Sequence, residues 1–237
     1  MRFRARREVD ELAEALALHH AGDHEGALAI WGKLAKAGNA RAMSNVGACF
    51  LEGLGVARDA ELAFRWFAPA AEAGDVGAMR NFARCHYEGW GTAQDHAAAA
   101  LWYRRAAEAG DAESADMIGW MLTVGGGVGR DDTEALRFTR IAAGAGRIPA
   151  AARMGDHYHD ARGVVRDPAE AARWWRLAAE GGHAEAMAML GAAMLKGAGV
   201  PRDPDGALDL LTRAQRAGSE LAGRFLPAAR EAARLPP

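Results

Sequence analysis

Residues 59–94, DAELAFRWFAPAAEAGDVGAMRNFARCHYEGWGTAQ, run straight into residues 95–130, DHAAAALWYRRAAEAGDAESADMIGWMLTVGGGVGR. Laid one over the other, Asp59 falls on Asp95, Ala63 on Ala99, Gly74 on Gly110 and Gly91 on Gly127, a step of 36 residues. The step extends in both directions. Gly38, Gly74, Gly110, Gly146, Gly182 and Gly218 keep it, as do Asp23, Asp59, Asp95, Asp131, Asp167 and Asp203. Ala27, Ala63, Ala99, Ala135, Ala171 and Ala207 form a third register, and Gly55, Gly91, Gly127, Gly163 and Gly199 a fourth. Four independent columns at one period mark internal repeats, and the repeat decides the architecture.

Each repeat reads as two helices. The column aspartate is a helix N-cap, because its carboxylate can accept from backbone N–H groups left free in the first turn. Pro168 and Pro204 follow two of these aspartates, at the first helical position, where a missing N–H costs nothing. Asp131 with Glu134, and Asp167 with Glu170, have capping-box spacing. In the second repeat Ala63, Trp66, Phe67, Ala70 and Ala71 mark one helical face, and Gly74 supplies the left-handed C-terminal position. Asp75 can cap the second helix, whose inner face carries Ala78, Met79, Phe82, Ala83 and His86. The small residues Ala83, Gly119, Gly155 and Gly191 allow close approach between neighbouring helices.

The pattern D-x-x-x-A-x-x-W-[WYF]-x-x-A-A-E-x-G-[DN]-x-x-A-x-x-x-x-G, then G-x-G-V-x-x-D, resembles the Sel1-like repeat, a relative of the tetratricopeptide repeat. Its clearest copies are Asp59 to Thr92, Asp95 to Val128 and Asp167 to Val200; Asp23 to Val56 is a good copy with Trp31 at the second aromatic position. Asp131 to Val164 departs most, with Phe138-Thr139 for the aromatic pair and Arg147-Ile148-Pro149 after the glycine. The resemblance implies an all-α, right-handed superhelical solenoid of antiparallel helix pairs, in a family of adaptors and of signalling or assembly scaffolds. The expected organisation is one solenoid domain over 1–237. It has a leading cap helix at 8–22, repeats at 23–58, 59–94, 95–130, 131–166 and 167–202, and terminal helices in 203–235. End helices shield the core faces that a terminal repeat cannot bury against a neighbour. Pro227 is expected to bend the last helix or delay its start.

Half of the residues are hydrophobic and a quarter charged, which allows a core and argues against global disorder. The formal net charge of -2 gives no pull toward nucleic acid or an anionic membrane. No stretch approaches the ~20 apolar residues of a membrane span. Glu8, Asp10, Glu11 and Glu14 interrupt the start where a signal peptide would need an apolar region. A cytoplasmic monomer is expected.

Little in the sequence carries catalytic or metal chemistry. Cys49 and Cys85 stand one repeat apart on helices whose axes lie about 8–10 Å from each other, too far for an easy disulfide, so two free thiols are expected. In Asp156-His157-Tyr158-His159-Asp160 the histidines point apart on a helix, so the segment reads as a core tyrosine flanked by solvated polar residues. His19, His20 and His24 lack partners of metal-site type, and His86 reads as a packed core histidine. The run Gly125 to Arg130 lacks the Gly-Lys-Ser/Thr ending of a phosphate loop and coincides with the repeat's own loop. No enzyme, cofactor or metal site is expected.

Arginines carry the functional expectation. Positions six and nine after the capping aspartate point away from the core and hold Arg65, Arg104, Arg137, Arg140, Arg173 and Arg176. In related helical-repeat folds the first helices line a concave groove, so these residues would form a ladder suited to carboxylates or phosphates. Alternatively they are solvated residues that counter the helix dipole and pair with Glu72, Glu108 and Glu180. Trp90 in a loop and Trp120 on an outward helix position stand as partner contacts or as loop anchors. The expected function is an adaptor that binds an acidic peptide or helix of another protein in the groove. A structural or assembly scaffold and a neutralising partner of a co-encoded toxin are the alternatives.

Overall fold

The computed structural model describes residues 2–234, with side chains from residue 8 onward, and thirteen helices and no strand occur among them. Residues through Ser114 make one compact unit and those from Ala115 onward a second, the division falling inside α7. The first unit contains α1 (Arg2–His20), α2 (His24–Lys36), α3 (Ala40–Glu52), α4 (Ala60–Glu72), α5 (Val76–Glu88), α6 (His96–Glu108) and the start of α7 (Ala112–Val124). The second holds the rest of α7, then α8 (Asp132–Gly144), α9 (Ile148–Asp160), α10 (Pro168–Glu180), α11 (Ala184–Lys196), α12 (Pro204–Arg216) and α13 (Glu220–Ala232). The chain is an all-α solenoid of helix-pair repeats. No described helix is long and apolar enough to cross a membrane.

The capping aspartates do what their chemistry requires. Asp59 accepts from the Leu62 backbone N–H at 2.9 Å, and Asp23, Asp95, Asp131, Asp167 and Asp203 accept in the same way at α2, α6, α8, α10 and α12. Each such cap is worth about 1 kcal/mol. After α4 the chain reverses through Gly74, at φ 92°, and the Asp75 N–H closes back onto the Ala70 carbonyl at 3.0 Å. Asp75 then caps α5 through the Ala78 N–H at 2.8 Å. α9 departs from this pattern, since Arg147 at its N-cap makes no side-chain cap bond.

Packing explains two columns. A Cβ built on Gly47 would lie 2.7 Å from Phe67 Cε1, and one on Gly191 would lie 2.8 Å from Leu211 Cγ; Gly155 meets the Trp175 ring in the same way. The small residue of one second helix is therefore the seat of the large residue on the next first helix. In the loop, a Cβ on Gly55 would lie 2.6 Å from the His24 carbonyl carbon, so the loop touches backbone and admits no side chain.

Two details differ from expectation, and one helix end departs from its counterparts. α1 reaches back to Arg2 rather than starting near residue 8. α13 starts on time at Glu220, capped by Ser219, with Pro227 inside it, so the proline does not delay the helix. Finally, α9 ends on Ala161 in the left-handed region at φ 58°, where α3, α5 and α11 end on Gly53, Gly89 and Gly197.

Candidate functional site

The buried stripe of α8 is Ala135, Leu136, Phe138, Thr139, Ala142 and Ala143, which turns Arg137, Arg140 and Ile141 outward. On α10, one repeat later, Arg173, Arg176 and Leu177 take the equivalent positions and are also exposed. Within the second unit, therefore, four arginines flank two exposed aliphatic side chains. Arg137 lies 3.5 Å from Glu134, and Arg173 bonds Glu170, in each case one turn upstream on the same helix. The Arg137 guanidinium also sits 4.0 Å from the Phe138 ring centroid. Exposed pairs of this kind contribute a few tenths of a kcal/mol and exchange readily for other carboxylates. In the first unit Arg65 is exposed on α4 and Arg104 is half-buried on α6.

Trp90 is half-buried, with the Arg84 guanidinium 4.5 Å from its ring centroid, and so is bound to its own unit. Trp120 is half-buried on α7.

The segment 156–160 differs from its sequence reading. His157, not Tyr158, is the core residue: it is 2 % exposed, and Tyr158 is half-buried. Counting in steps of 36 puts His157 in a column with Cys49, Cys85, Met121 and Ala193, all buried. Its Nδ1 lies 2.8 Å from the Arg162 carbonyl oxygen, while Nε2 is buried with no hydrogen-bond partner. Burial pushes the imidazole pKa below its ordinary value. Asp156 accepts from the Trp175 indole N–H at 3.0 Å; burial raises its carboxyl, and that bond opposes the rise. His86 packs edge-on against Phe64 and Phe82, centroids at 5.2 and 4.8 Å, as a half-buried packing histidine.

Ion pairs between repeats escaped the sequence reading. In the first unit Arg41 reaches Asp75 at 3.0 Å and Arg80 reaches Asp111 at 2.7 Å. In the second, the buried carboxylate of Asp116 bonds Arg153 and lies 3.6 Å from Arg147. These pairs join partners 31 to 37 residues apart; Asp75 and Asp111 share a column, but Arg41, Arg80 and Arg153 stand at three different repeat positions. Cys49 and Cys85 are buried thiols. Among the described residues no group of three or more His, Cys, Asp or Glu side chains could hold a metal ion. Chemically, the surface offers cationic and aliphatic contacts for a polypeptide.

The Sel1 repeat model matches residues 40–75, 76–111, 112–146, 148–183 and 184–219. Its frame starts at a second helix and closes on the next first helix, so the period agrees with 36 while the phase is shifted. A Sel1 repeat protein from Oxalobacter formigenes is 30% identical over 93% of this chain and 90% of its own, with a TM-score of 0.84. A protective antigen present in uropathogenic Escherichia coli strains, displaying an SLR fold, is 25% identical. It covers 93% of this chain and 56% of its own, with a TM-score of 0.69. No curated protein matches.

Proposed function

Since the chain belongs to the Sel1 repeat family, whose members generally mediate protein–protein interaction, we propose that it binds an acidic segment of a partner protein through the arginine faces of its first helices. Chief support comes from the recurrence, one repeat apart, of Arg137-Arg140-Ile141 on α8 and Arg173-Arg176-Leu177 on α10, all exposed. Guanidinium groups take carboxylates in a bidentate fork, and a flanking aliphatic pair adds apolar contact that a purely electrostatic patch lacks. The favoured partner therefore carries carboxylates interleaved with apolar side chains. Arg65 and Arg104 extend the same chemistry within the first unit, and Trp90 and Trp120, both half-buried, are secondary candidate contacts.

Capture of the partner by the double reversal Arg137→Glu with Arg173→Glu tests this. The arginines are exposed, so stability should change by no more than about 1 kcal/mol, the added repulsion from Glu134 and Glu170 included. Partner capture should be lost in the variant, and wild-type capture should weaken as salt rises, through slower association. Equal capture by variant and wild type at low salt would remove the arginine faces as the binding surface.

A further inference from the structure

A cavity of about 210 Å³ opens in the second unit where α9, α10, α11 and α13 come together. Its apolar lining includes Trp175, Met189 and Phe225, and its cations are Arg166 and Lys196. The place recurs in the first unit. Three repeats earlier the equivalents of Arg166, Ala192 and Ala198 are Arg58, Arg84 and Trp90, which with Glu52 line a more open depression. There the Arg84 guanidinium stacks 4.5 Å from the Trp90 ring centroid, and a carboxylate sits in the lining beside two cations. The first unit thus supplies an aromatic ring and a carboxylate from its own chain.

The second unit has no ring at the Trp90 position and no carboxylate in the lining of its cavity. Alanines 192 and 198 replace the arginine and the tryptophan, which leaves the floor open onto Trp175 and Phe225. Lys196 stands where other repeats carry Glu52, Glu88, Val124 and Asp160, so the usual acid has become a cation. No carboxylate is among the lining residues. Asp160, the equivalent of Glu52, is held by Arg162 at 2.7 Å and by His159 at 2.8 Å. Arg166 uses its Nε on the His159 carbonyl oxygen at 3.2 Å, and Lys196 Nζ hangs 5.8 Å from the Phe225 centroid. Cations over an apolar floor, in a cavity too small for a drug-sized ligand, match one ring with a carboxylate next to it.

We infer that this cavity is a second binding site, distinct from the arginine faces, which takes an aromatic side chain flanked by a carboxylate from a partner polypeptide. The partner supplies in trans the ring that Trp90 supplies in cis, and its carboxylate pairs with Arg166 and Lys196.

Fluorescence polarisation of the full chain with the dye-labelled peptide Gly-Ser-Asp-Trp-Glu-Ser-Gly tests the site. Lys196→Glu restores the acid of the other repeats, and Ala198→Trp restores the cis aromatic; both positions are exposed, so the fold should survive. Binding should weaken about tenfold or more in either variant, and equally when the peptide's Trp becomes Ala or its acids become amides. The Arg137→Glu, Arg173→Glu protein should bind the peptide as wild type does, which separates this site from the arginine faces. Absence of binding up to about 1 mM peptide, or binding by Lys196→Glu and Ala198→Trp as tight as by wild type, would overturn the inference.

Discussion

Trp102→Ala should remove more stability than any surface change in the first unit. Trp102 lies on α6 and is 9 % exposed; its ring meets Phe82 edge-on at 5.2 Å between centroids, and Arg105 covers it at 4.6 Å. A buried aromatic of this size removes ~150–250 Å² from water, which at ~25 cal/mol per Å² is about 4–6 kcal/mol as an upper bound. Allowing for a partly collapsed denatured chain, and for a cavity that relaxes little, the expected loss is about 3–5 kcal/mol. In a chain of this length each kcal/mol moves the thermal midpoint by about 2–4 °C, so a fall of roughly 6–20 °C should appear by far-UV circular dichroism. Trp102→Phe keeps the edge contact with Phe82 and should fall much less. Repeat arrays need not melt as one unit, so urea titrations should accompany heating, with the slope compared as well as the midpoint. A midpoint unchanged within about one degree would mean that Trp102 is not load-sharing core and that the assigned helical face is wrong.

Ala161→Gly should stabilise the chain by about 0.5–1 kcal/mol, because relief of the left-handed strain exceeds glycine's added chain entropy; Gly197→Ala should lose a similar amount, and opposite signs in urea melts are the check. His157, with a folded pKa below its ordinary value of 6.5, contributes stability that is present above that value and lost as pH falls through the folded pKa. Asp156, whose carboxyl is raised, acts oppositely, so His157→Met, which copies Met121 of the same column, should flatten the acid-side loss of stability; an unchanged pH profile would contradict the buried imidazole. Burial pushes the Cys85 thiol to about 11 and raises Cys49, so native protein near neutral pH should resist a thiol probe, while denatured protein prepared without reductant should take up two equivalents; rapid native labelling would show the thiols to be accessible.

What the sequence made legible was local backbone chemistry repeated six times. Asp59 and its column announce helix starts because a cap needs only its own next three residues, and Gly74 and its column announce reversals because φ near 90° excludes most side chains. The buried face of α9 was harder. Tyr158 is the larger and more apolar residue, so composition favoured it, yet the column containing Cys49 and Cys85 already pointed to His157 as the residue facing inward. Arg41–Asp75, Arg80–Asp111 and Arg153–Asp116 were illegible because the arginines occupy three different repeat positions, so although Asp75 and Asp111 recur at the period, nothing periodic records which cation reaches them. The arginines of α8 and α10 were readable as outward-facing positions; their companions Ile141 and Leu177 emerged only from their exposure in the structure.

Asp75 divides its two oxygens between two tasks: Oδ1 receives the Ala78 N–H of its own helix, and Oδ2 receives Arg41 from the repeat before. Asp111 does the same with the Ser114 N–H and Arg80. In a one-dimensional array, stability separates into what each unit has alone and what it gains from its neighbour. Here one carboxylate belongs to both sums. Fraying at a helix start in the first unit is thereby transmitted to the preceding repeat, and detachment of that repeat loosens the helix start in turn. Asparagine at position 75 or 111 would keep the acceptor for the cap and discard the charge for the neighbour, which makes these two positions places where the cooperativity of the array can be changed while each repeat's own stability is left nearly intact.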